Sequence, residues 1–527
     1  MTIKILISDP LSEQGINVLK ESNGYSIDVK TKLPESELIK IIPDYDALLI
    51  RSETKVTESV INAAKKLKVI GRAGVGIDNV DVKAASKKGI VVMNTPGGNT
   101  ISAAEHTISM MLALSRNIPQ ANESLKKGEW KRKEFTGTEV LDKVLGIIGL
   151  GKIGAEVAKR AKAFGMDILA YDPMLTQEQA EKMGVRLGTI DDILKEADYI
   201  TLHIPRNSET ENLINKDTIA KMKKDVRIIN VARGGIVNEA DLAEAIKNGK
   251  VKGAAFDVYA TEPCIDSPLF KLANVVVTPH LGASTEEAQI KVAVDISKQI
   301  KDFFENNLVR NAVNVPSVAP ELLKKLEPFI NLAIKLGALQ AQISEGGVRR
   351  VEVTYGGEIA SYEVNPITTA LLKGLLEKYE EEVNFVNAPF LAKERGIKIT
   401  ESKINRIDDF VNLITVKVTT EKEENIVAGT VLHKNNIRII RINDFSIDAI
   451  PTGYLLICTN NDIPGVVGQI GTILGEAKIN IAGMQVGRKT SGGKALIVTN
   501  IDQIIPNNVL KIIENEPNIN SVKLVVL

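Results

Sequence analysis

Cysteine, histidine and tryptophan are scarce in this chain of 527 residues. It has two cysteines, Cys264 and Cys458, four histidines and one tryptophan. Two cysteines that lie far apart and form no C-x-x-C pair argue against a disulfide scaffold and against a cysteine-ligated zinc site. We predict two idle thiols in a reducing, cytoplasmic environment.

An excess of charge and a long apolar run are also lacking. Lys plus Arg number 66 and Asp plus Glu number 66, so the formal net charge is zero. A neutral chain has no general field that would attract nucleic acid or an anionic membrane surface. No apolar stretch reaches the roughly 18 residues that a membrane-spanning helix requires. We therefore expect no nucleic-acid or membrane partner, and any anion binding must be local.

The length and composition instead indicate a globular protein with several domains. Hydrophobic residues make up 44% of the chain and charged residues 25%. A chain this long exceeds what a single hydrophobic core organises, so we expect about three or four domains.

The first half of the chain alternates short apolar runs with amphipathic segments. This alternation predicts parallel strands connected by crossover helices. Long apolar helices over 102–117 and 285–306 would connect two such units, so we expect one Rossmann-like α/β domain to be inserted into another. The predicted strands are Ile3–Ser8, Ala47–Arg51, Val69–Arg72, Ile90–Asn94, Lys143–Leu150, Asp167–Asp172, Tyr199–Ile204, Val226–Val231, Gly253–Asp257 and Val275–Thr278.

The second half has a different pattern. Asn314-Val315-Pro316-Ser317 is typical of a linker, and Pro451-Thr452-Gly453 marks another break. Between them we predict an α+β domain with a helix over 321–343 and three strands. The last residues alternate strand, helix, strand, strand, helix, strand, which is a ferredoxin-like order. The expected domains are 1–98 with 287–315, then 99–286, 316–448 and 453–527.

A glycine-rich turn in the second unit has the form G-x-G-x-x-G. It runs from Gly149 to Gly154 and lies between an apolar strand and a helix, the context that gives this pattern meaning. Gly149 permits the tight turn, Gly151 lets the backbone approach a pyrophosphate, and Gly154 lets helix and strand pack closely. Asp172 ends the next strand, where it can accept hydrogen bonds from ribose hydroxyls and repel a 2′-phosphate. The pattern favours NAD over NADP; the alternative is a glycine turn with an unrelated acid.

Three side chains suited to dehydrogenation follow successive strands of the same unit. His280 can carry the proton that accompanies each hydride, because its pKa lies near neutrality. Glu262 can fix the imidazole tautomer and raise its pKa, and Arg233 can grip a carboxylate through two parallel hydrogen bonds. Each residue alone has a structural explanation. Their joint placement at the carboxyl ends of strands, where open α/β sheets bind ligands, favours a catalytic site.

These residues resemble the D-isomer-specific 2-hydroxyacid dehydrogenases, and the resemblance covers almost the whole chain. It is carried by residues 51–57, 71–81, 94–100, 102–105, 232–237 and 279–285. It implies two Rossmann-like domains, NAD as cofactor, no metal, and Arg233, Glu262 and His280 as the catalytic set. Val75 stands where relatives commonly have Thr, which removes a hydroxyl near the nicotinamide. The implied cofactor contacts are Gly149, Gly151, Lys152, Ile153, Gly154, Asp172, Ile204, Val231, Ala232, Arg233, Asp257, His280, Gly282 and Ala283.

The resemblance is strongest to the long members that oxidise 3-phospho-D-glycerate to 3-phosphohydroxypyruvate, the first step of L-serine synthesis. It implies that the substrate contacts are Arg51, Ser52, Arg72, Val75, Gly76, Asn99 and Thr100. The alternative is that both arginines are surface residues with local acidic partners. Lys131-Arg132-Lys133, beside Trp130, could reach a neighbouring subunit, and a homodimer or homotetramer is expected.

Residues 453–527 resemble the ACT-type regulatory domains, which bind amino acids. The resemblance implies L-serine as effector, with Asp462 accepting its ammonium group and Asn460 and Asn480 holding its carboxylate and side chain. A turn cap and a strand-edge asparagine are the structural alternatives. Two other functions stay open for the whole chain. One is another D-2-hydroxyacid dehydrogenase, acting on glyoxylate, hydroxypyruvate or D-lactate, and the other is an NAD-sensing corepressor or scaffold.

Overall fold

Four β-sheets organise the chain, whose computed structural model describes residues 2–306, 308–315, 320–380, 383–407, 409–433 and 435–527. Two sheets are parallel, one is mixed and one is antiparallel. The predicted fold class is confirmed: two Rossmann-like units are followed by an α+β unit and a ferredoxin-like unit.

The first sheet has five parallel strands in the order β2-β1-β3-β4-β5. Its central residues Ile5, Leu6 and Leu48 are fully buried, since helices cover both faces of a parallel sheet. The elements are β1 Ile3–Ile7, α1 Glu13–Lys20, β2 Tyr25–Val29, α2 Glu35–Ile41, a 3₁₀ turn Ile42–Asp44, β3 Ala47–Ile50, α3 Glu58–Ala63, β4 Val69–Arg72, α4 Val82–Lys87 and β5 Val91–Met93.

The second sheet has seven parallel strands in the order β12-β11-β10-β9-β6-β7-β8. Strand β6 has β7 on one side and β9 on the other, so the direction of the strand order reverses at β6. Doubly wound sheets form a ligand crevice at such a position. The elements are α5 Thr100–Arg116, α6 Ile118–Lys126, β6 Val144–Ile148, α7 Lys152–Ala163, β7 Asp167–Tyr171, α8 Gln177–Met183, β8 Arg186–Leu187, α9 Ile190–Glu196, β9 Tyr199–Leu202, α10 Lys216–Lys221, β10 Val226–Asn230, α11 Glu239–Lys247, β11 Val251–Phe256, a 3₁₀ turn Pro268–Lys271 and β12 Val275–Val277.

A long helix, α12 Glu286–Asn306, returns the chain to the first sheet. It packs so closely there that a Cβ added to Gly15 would lie 2.7 Å from Ala293, and one added to Gly71 would lie 2.9 Å from Ile296. The return continues along β5, where Ala312 bridges Met93 and the Asn314 side chain accepts a hydrogen bond from the Val92 N–H. The prediction of a linker at Asn314 and Val315 was therefore wrong, because both residues pack on the first unit. Pro316 and Ser317 lie outside the described residues.

The third sheet is mixed, with six strands in the order β14-β13-β15-β16-β17-β18. Strand β14 is parallel to β13, and the other neighbours are antiparallel. Helices α13 and α14 cover one face of the sheet. The elements are α13 Pro320–Ile343, β13 Val348–Gly357, a 3₁₀ turn Glu358–Ser361, α14 Asn365–Leu376, α15 Ala388–Glu394, β14 Lys398–Ile404, β15 Asn412–Thr420, β16 Glu424–Leu432, β17 Asn436–Ile442 and β18 Phe445–Ala449.

The fourth sheet is antiparallel, in the order β20-β21-β19-β22. Its outer strand β22 is tied to α13 by the Gln342 amide, which accepts a hydrogen bond from the Val526 N–H at 2.9 Å and donates one to the Val526 carbonyl at 2.8 Å. The elements are β19 Tyr454–Asn461, α16 Val466–Glu476, β20 Ile481–Arg488, β21 Lys494–Ile501, α17 Asn507–Glu514 and β22 Ile519–Val526.

The third unit also reaches back to the first. Val386 is 7% exposed and belongs to the apolar cluster that contains Val91 and Met93 of β5. Beside it, Asn384 Nδ2 donates to the Gly89 carbonyl at 3.1 Å, and Lys87 pairs with Glu394 at 3.2 Å. The two units thus share part of one core.

Four of the five described strands absent from the prediction, β2, β8, β14 and β18, lie at sheet edges. Strands β2 and β14 lie at sheet edges and carry polar residues, and all seven residues of β14 are exposed. Strand β8 has two residues. The prediction of six strands in the second sheet and three in the third unit was too low, since edge strands do not need the apolar runs that mark buried ones. Strand β17 is the exception, because it is an interior strand with buried Ile439 and Ile442 that the prediction missed.

Candidate active site

The glycine-rich turn has the space that a dinucleotide pyrophosphate requires. Gly149 has φ +95°, and a Cβ there would lie 2.6 Å from the His203 carbonyl oxygen. A Cβ on Gly154 would lie 2.1 Å from the Gly149 carbonyl oxygen. A Cβ on Gly151, by contrast, would meet no described atom within 4 Å. The two outer glycines are needed for close packing and the middle one leaves open space, so these residues fit a dinucleotide.

Asp172 lies beside this turn. Its Oδ2 accepts a hydrogen bond from the Leu150 N–H at 2.9 Å, and its Oδ1 accepts one from the Met174 N–H at the same distance. Each carboxylate oxygen keeps a second lone pair, which can accept a hydrogen bond from a ribose hydroxyl. Ile153 and Ile204 are partly buried against the apolar cores on either side of the turn.

His280 and Glu262 form a close pair. His280 Nδ1 lies 2.6 Å from Glu262 Oε2, while Glu262 Oε1 accepts a hydrogen bond from the Tyr259 N–H at 3.0 Å. The hydrogen bond to Glu262 raises the pKa of His280 above its ordinary value, with burial and the Arg233 charge opposing. Burial pushes the pKa of Glu262 up, but the hydrogen bonds from His280 and the Tyr259 N–H, together with the His280 charge, outweigh it and hold that pKa below the usual range. The imidazole thus meets Glu262 through Nδ1, on the side of the ring opposite Nε2.

Asp257 fixes the loop that carries His280. Its buried carboxylate accepts hydrogen bonds from the Leu281 N–H at 2.7 Å and the Gly282 N–H at 2.8 Å, and from the Thr278 hydroxyl. The Asp257 carbonyl also accepts the His280 N–H, which holds His280 at φ +56°, a conformation that costs about 1–3 kcal/mol for a residue with a side chain. Asp257 therefore holds residues 280–282 in place through its carboxylate and its carbonyl. Gly282 lies close to Val231, since a Cβ there would meet Val231 Cγ1 at 3.2 Å, and Ala283 follows it partly exposed.

Arg233 reaches across to the first unit. Its Nε lies 3.4 Å from Asp78 Oδ2, and a Cβ on Gly76 would lie 2.6 Å from one of its terminal nitrogens. Its side chain also donates to the Ala232 carbonyl at 2.7 Å. A side chain at position 76 would displace this guanidinium, which lies between the two Rossmann-like units.

Three guanidinium groups share this side of the cleft. Burial lowers the pKa of Arg72 to about 10, and the charges of Arg233 and Arg51 act in the same direction. Arg72 Nε donates to Asn79 Oδ1 at 3.0 Å, and Arg51 Nη1 lies 3.4 Å from the Pro10 carbonyl. Cations that repel one another in a partly buried place are stabilised by a bound anion.

The 95–100 segment and Lys152 close the other side. A Cβ on Gly97 would lie 3.4 Å from Lys152 Nζ and 3.6 Å from Thr100 Oγ1, so these groups from both units converge. Asn99 Oδ1 is buried and has no hydrogen-bond partner among the described residues. The remaining predicted contacts, Ser52 and Val75, lie at the same cleft: Ser52 is exposed beside Arg51, and the Val75 carbonyl accepts a bond from Asn94.

The other histidines have structural surroundings. His106 Nε2 lies 3.2 Å from Asp257 Oδ1, so it supports the loop of His280. Burial lowers the pKa of His203 to about 4, which keeps its ring neutral beside Thr201. Sequence reasoning gave no role to Asp78 or Asn79, and it did not predict the contact between His106 and Asp257. The first two lie within the matched motif at residues 71–81, which was the available signal.

The predicted effector residues do not meet within one chain. Asn460 and Asp462 lie where β19 pairs with Lys494, whereas Asn480 precedes β20 at the Ile501 end of the same sheet. Strand β21 separates the two ends by about 23 Å at the usual rise per residue. Within one chain these three side chains therefore do not converge on one serine, and their role as an effector site stays a prediction. The Asn460 Oδ1 atom is buried without a partner among the described residues, and Asp462 Oδ2 accepts from Arg488 and the Gly492 N–H.

The described residues offer neither a membrane-spanning helix nor a metal site. They contain no helix long and apolar enough to cross a membrane, and no group of three or more His, Cys, Asp or Glu side chains that could hold a metal ion. Both cysteines are free thiols; Cys458 is buried, whereas Cys264 is only partly buried.

Three stretches of the chain match known protein families. Residues 108–282 match the D-isomer specific 2-hydroxyacid dehydrogenase, NAD binding domain, and residues 325–443 match the D-3-phosphoglycerate dehydrogenase intervening domain. Residues 454–518 match the ACT domain. The resemblances to the 2-hydroxyacid dehydrogenases and to ACT domains are thereby confirmed.

Solved structures resemble the first two units. A D-lactate dehydrogenase from Aquifex aeolicus, complexed with NAD and lactic acid, is 29% identical with a TM-score of 0.52, covering 60% of this chain and 100% of its own. An NAD-dependent formate dehydrogenase from Staphylococcus aureus, in complex with NAD, is 30% identical with a TM-score of 0.54 over the same shares. Together with the matched NAD-binding domain, these structures confirm NAD as the cofactor.

Relatives match nearly the full length. The chain is 48% identical to a D-3-phosphoglycerate dehydrogenase of Synechocystis sp., over 96% of this chain and 92% of that one. It is 46% identical to a D-3-phosphoglycerate dehydrogenase of Methanocaldococcus jannaschii, over 99% of both. The chain is an NAD-dependent dehydrogenase and belongs to the D-3-phosphoglycerate dehydrogenase family.

Proposed function

We propose that the chain oxidises 3-phospho-D-glycerate to 3-phosphohydroxypyruvate with NAD, the first step of L-serine synthesis from that precursor. The observation that carries the proposal is that the His280–Glu262 pair, Arg233 and Arg72 lie along one cleft. Arg233 is close enough to both His280 and Arg72 for its charge to lower their pKa values. One end of the cleft can thus hold and deprotonate a hydroxy acid, and the other can bind a second anionic group.

In the forward direction His280 acts as general base. Neutral Nε2 takes the proton of the C2 hydroxyl while the C2–H bond breaks and a C=O bond forms. Bound NAD supplies the hydride acceptor. Glu262, at 2.6 Å, stabilises the imidazolium that results, and Arg233 holds the substrate carboxylate and the developing carbonyl oxygen. In this scheme Asp78 occupies Arg233 until a substrate carboxylate replaces it.

Phosphate selectivity follows from the arginines of the first unit. Arg51 and Arg72 supply the positive charge, and Ser52, Asn99 and Thr100 supply hydrogen-bonding groups around it. Val75 and Gly76 line the approach. An unphosphorylated hydroxy acid has only its carboxylate, which Arg233 would bind. It would leave Arg51 and Arg72 without an anionic ligand.

A substrate panel tests this function. Initial rates of NADH formation are measured with 3-phospho-D-glycerate and with D-glycerate, using His280→Ala as the low-activity reference. We expect kcat/KM for the phosphorylated acid to be higher by about a hundredfold, the scale of charge-assisted hydrogen bonds to a phosphate. Equal values for both acids, or faster turnover of lactate or glyoxylate-type substrates, would reject 3-phosphoglycerate as the substrate.

We assign the four units to roles as predicted. Residues 1–98 with 287–315 bind substrate, 99–286 bind NAD, 316–448 form the intervening domain and 453–527 the regulatory ACT domain. For L-serine we propose a site shared by two copies of the chain, with Asn460 and Asp462 from one and Asn480 from the other, because one copy holds them at opposite ends of its sheet. The two free thiols support a cytoplasmic enzyme.

An exposed apolar surface supports a homo-oligomer. Ile118 is 55% exposed, Leu125 58% and Trp130 83%, all on α6 and the segment that follows it. Side chains of this size at neighbouring exposed positions mark an interaction surface. We propose that a second copy covers them, in a dimer or tetramer.

A further inference from the structure

One side chain of the first unit links two segments of the cleft. Asn79 Nδ2 donates to the Arg51 carbonyl at 2.8 Å and to the Thr54 carbonyl at 2.7 Å. Its Oδ1 accepts a hydrogen bond from Arg72 Nε at 3.0 Å. A single amide therefore ties the 51–54 turn to the guanidinium of Arg72.

The same turn is held from its other side by a buried acid. Asp9 is 1% exposed, and its carboxylate accepts hydrogen bonds from the Arg51 N–H at 2.6 Å and the Thr54 N–H at 3.0 Å. With Asp9 on the N–H groups and Asn79 on the carbonyl groups, both ends of the turn are fixed. The exposed tip, which contains Ser52, is thus presented in one conformation.

The chemistry of the acceptor on Arg72 also matters. The charges of Arg233 and Arg51 repel the guanidinium and those of Asp78 and Asp9 attract it, but the hydrogen bond that orients its Nε is accepted by the Asn79 amide. A carboxylate would also orient it but would cancel the positive charge on which anion binding depends. An amide oxygen orients Nε and leaves the full charge available.

We infer that Asn79 is a positioning residue that sets the preference for a phosphorylated substrate, by holding Arg72 and the 51–54 turn in the geometry that binds the phosphate. The inference rests on the proposed function in taking a substrate phosphate as the ligand of these arginines. It requires both functions of the amide, donation to two carbonyls and acceptance from one arginine.

The test uses Asn79→Asp, which has nearly the same shape. It keeps an acceptor for Arg72, loses both donations and adds a negative charge. Asn62→Asp is the matched control, since Asn62 is exposed on the same unit and undergoes the same charge change. We expect kcat/KM for 3-phospho-D-glycerate to fall by about tenfold or more in N79D, mainly through KM, the scale of losing hydrogen bonds to a charged group. The value for D-glycerate and the Kd for NADH should stay within about twofold, and N62D should match the parent.

A second variant separates geometry from charge. Asn79→Ala removes the three hydrogen bonds without adding a charge, and we expect the same direction of change with a smaller loss. A double-mutant cycle of Asn79→Ala with Arg72→Lys should be non-additive, because the two changes remove one shared interaction. Thermal unfolding of each variant identifies any that fails to fold, and additive losses in the folded variants would overturn the inference.

A binding measurement that needs no turnover completes the design. Inorganic phosphate is titrated by calorimetry into NADH-loaded parent, N79D and N62D enzymes. Weaker phosphate binding in N79D alone supports the inference, and equal binding in all three overturns it. A parent enzyme that binds phosphate but does not prefer the phosphorylated acid contradicts the proposed function instead, and the two failures are thereby distinguished.

Discussion

At the scale of single residues, the ionisation of His280 is governed by one neighbour. Glu262 contributes both a hydrogen bond and a negative charge, and their sum exceeds the opposing effects of burial and Arg233. The imidazole consequently stays protonated to a higher pH than the ordinary 6.5. Since only the neutral ring accepts a proton from an alcohol, we expect the pair to set the lower pH limit of the proposed oxidation.

Removing that carboxylate should move the limit. In Glu262→Gln the pKa of His280 falls, so the acidic limb of the kcat/KM profile for oxidation shifts to lower pH. Turnover at the optimum falls by about tenfold to a thousandfold, because the imidazolium loses its charged partner. The profile is measured between pH 5 and 9, a range of about four units around the histidine pKa. Glu178→Gln, on an exposed acid that pairs with Lys182, is the control. An acidic limb at the parental pH would contradict the role of Glu262.

The sequence allowed some of these residues to be predicted because each follows a strand. His280, Glu262 and Arg233 come after β12, β11 and β10, and the carboxyl ends of parallel strands meet at one edge. Asp78 and Asn79 could not be given roles in this way. Their contacts with Arg233, Arg51 and Arg72 depend on how a loop folds between two units, and no periodicity encodes that.

At the scale of elements, the turn into α7 depends on glycines that differ in what surrounds them. Gly154 lies inside the helix, where the Gly149 carbonyl leaves no space for a side chain. Gly475 also lies inside a helix, α16, but has no described atom within 4 Å of an added Cβ. Helix propensity alone would favour alanine at both positions.

This difference yields a paired prediction. Gly154→Ala should weaken NADH binding by about tenfold or more and lower the Tm, since the turn must shift to admit a methyl group. Gly475→Ala should leave NADH binding unchanged and keep or slightly raise the Tm. Fluorescence titration with NADH and calorimetry measure both. Similar behaviour of the two variants would show that close packing at Gly154 is not what shapes the turn.

Edge strands show the limit of prediction at this scale. The buried strands of both Rossmann-like units were located to within a few residues, because their apolar runs are required by burial on two faces. Strand β14 has no such requirement, and its sequence of alternating lysine, isoleucine, threonine, glutamate and serine resembles a loop. The opposite ends of the fourth sheet, which separate Asn480 from Asn460, likewise follow from strand pairing and not from local pattern.

At the scale of the whole molecule, the fourth unit is joined to the third by a shared apolar core, to which Leu455, Leu496 and Val525 belong, and by polar contacts with α13. Gln342 pairs with both backbone groups of Val526, and Lys523 lies at the Ile343 carbonyl. Helix α13, which carries Gln342, also packs on the third sheet. A signal from an effector in the fourth unit can pass through the shared core and through these polar contacts.

Loosening this attachment should uncouple the effector from catalysis. In Gln342→Ala we expect unchanged kcat and KM without effector, and a response to L-serine weakened by about fivefold or more, the lower end of typical coupling free energies. Gln503→Ala is the control, because Gln503 is exposed and its side chain donates to the Lys478 carbonyl within its own unit. Initial rates are titrated with serine for all three proteins. A parental serine response in Gln342→Ala would show that this amide does not transmit the signal.

The burial of Val386 among residues of β5 has a consequence for dissecting the enzyme. A fragment ending at residue 315 would keep every group proposed for catalysis. It would, however, expose the apolar residues of β5 that Val386 covers and remove the Asn384 amide that donates to the Gly89 carbonyl. Such a fragment should aggregate unless the exposed apolar residues around this site are replaced by polar ones. The third unit therefore contributes to the stability of the first unit, even though it supplies none of the groups proposed for catalysis.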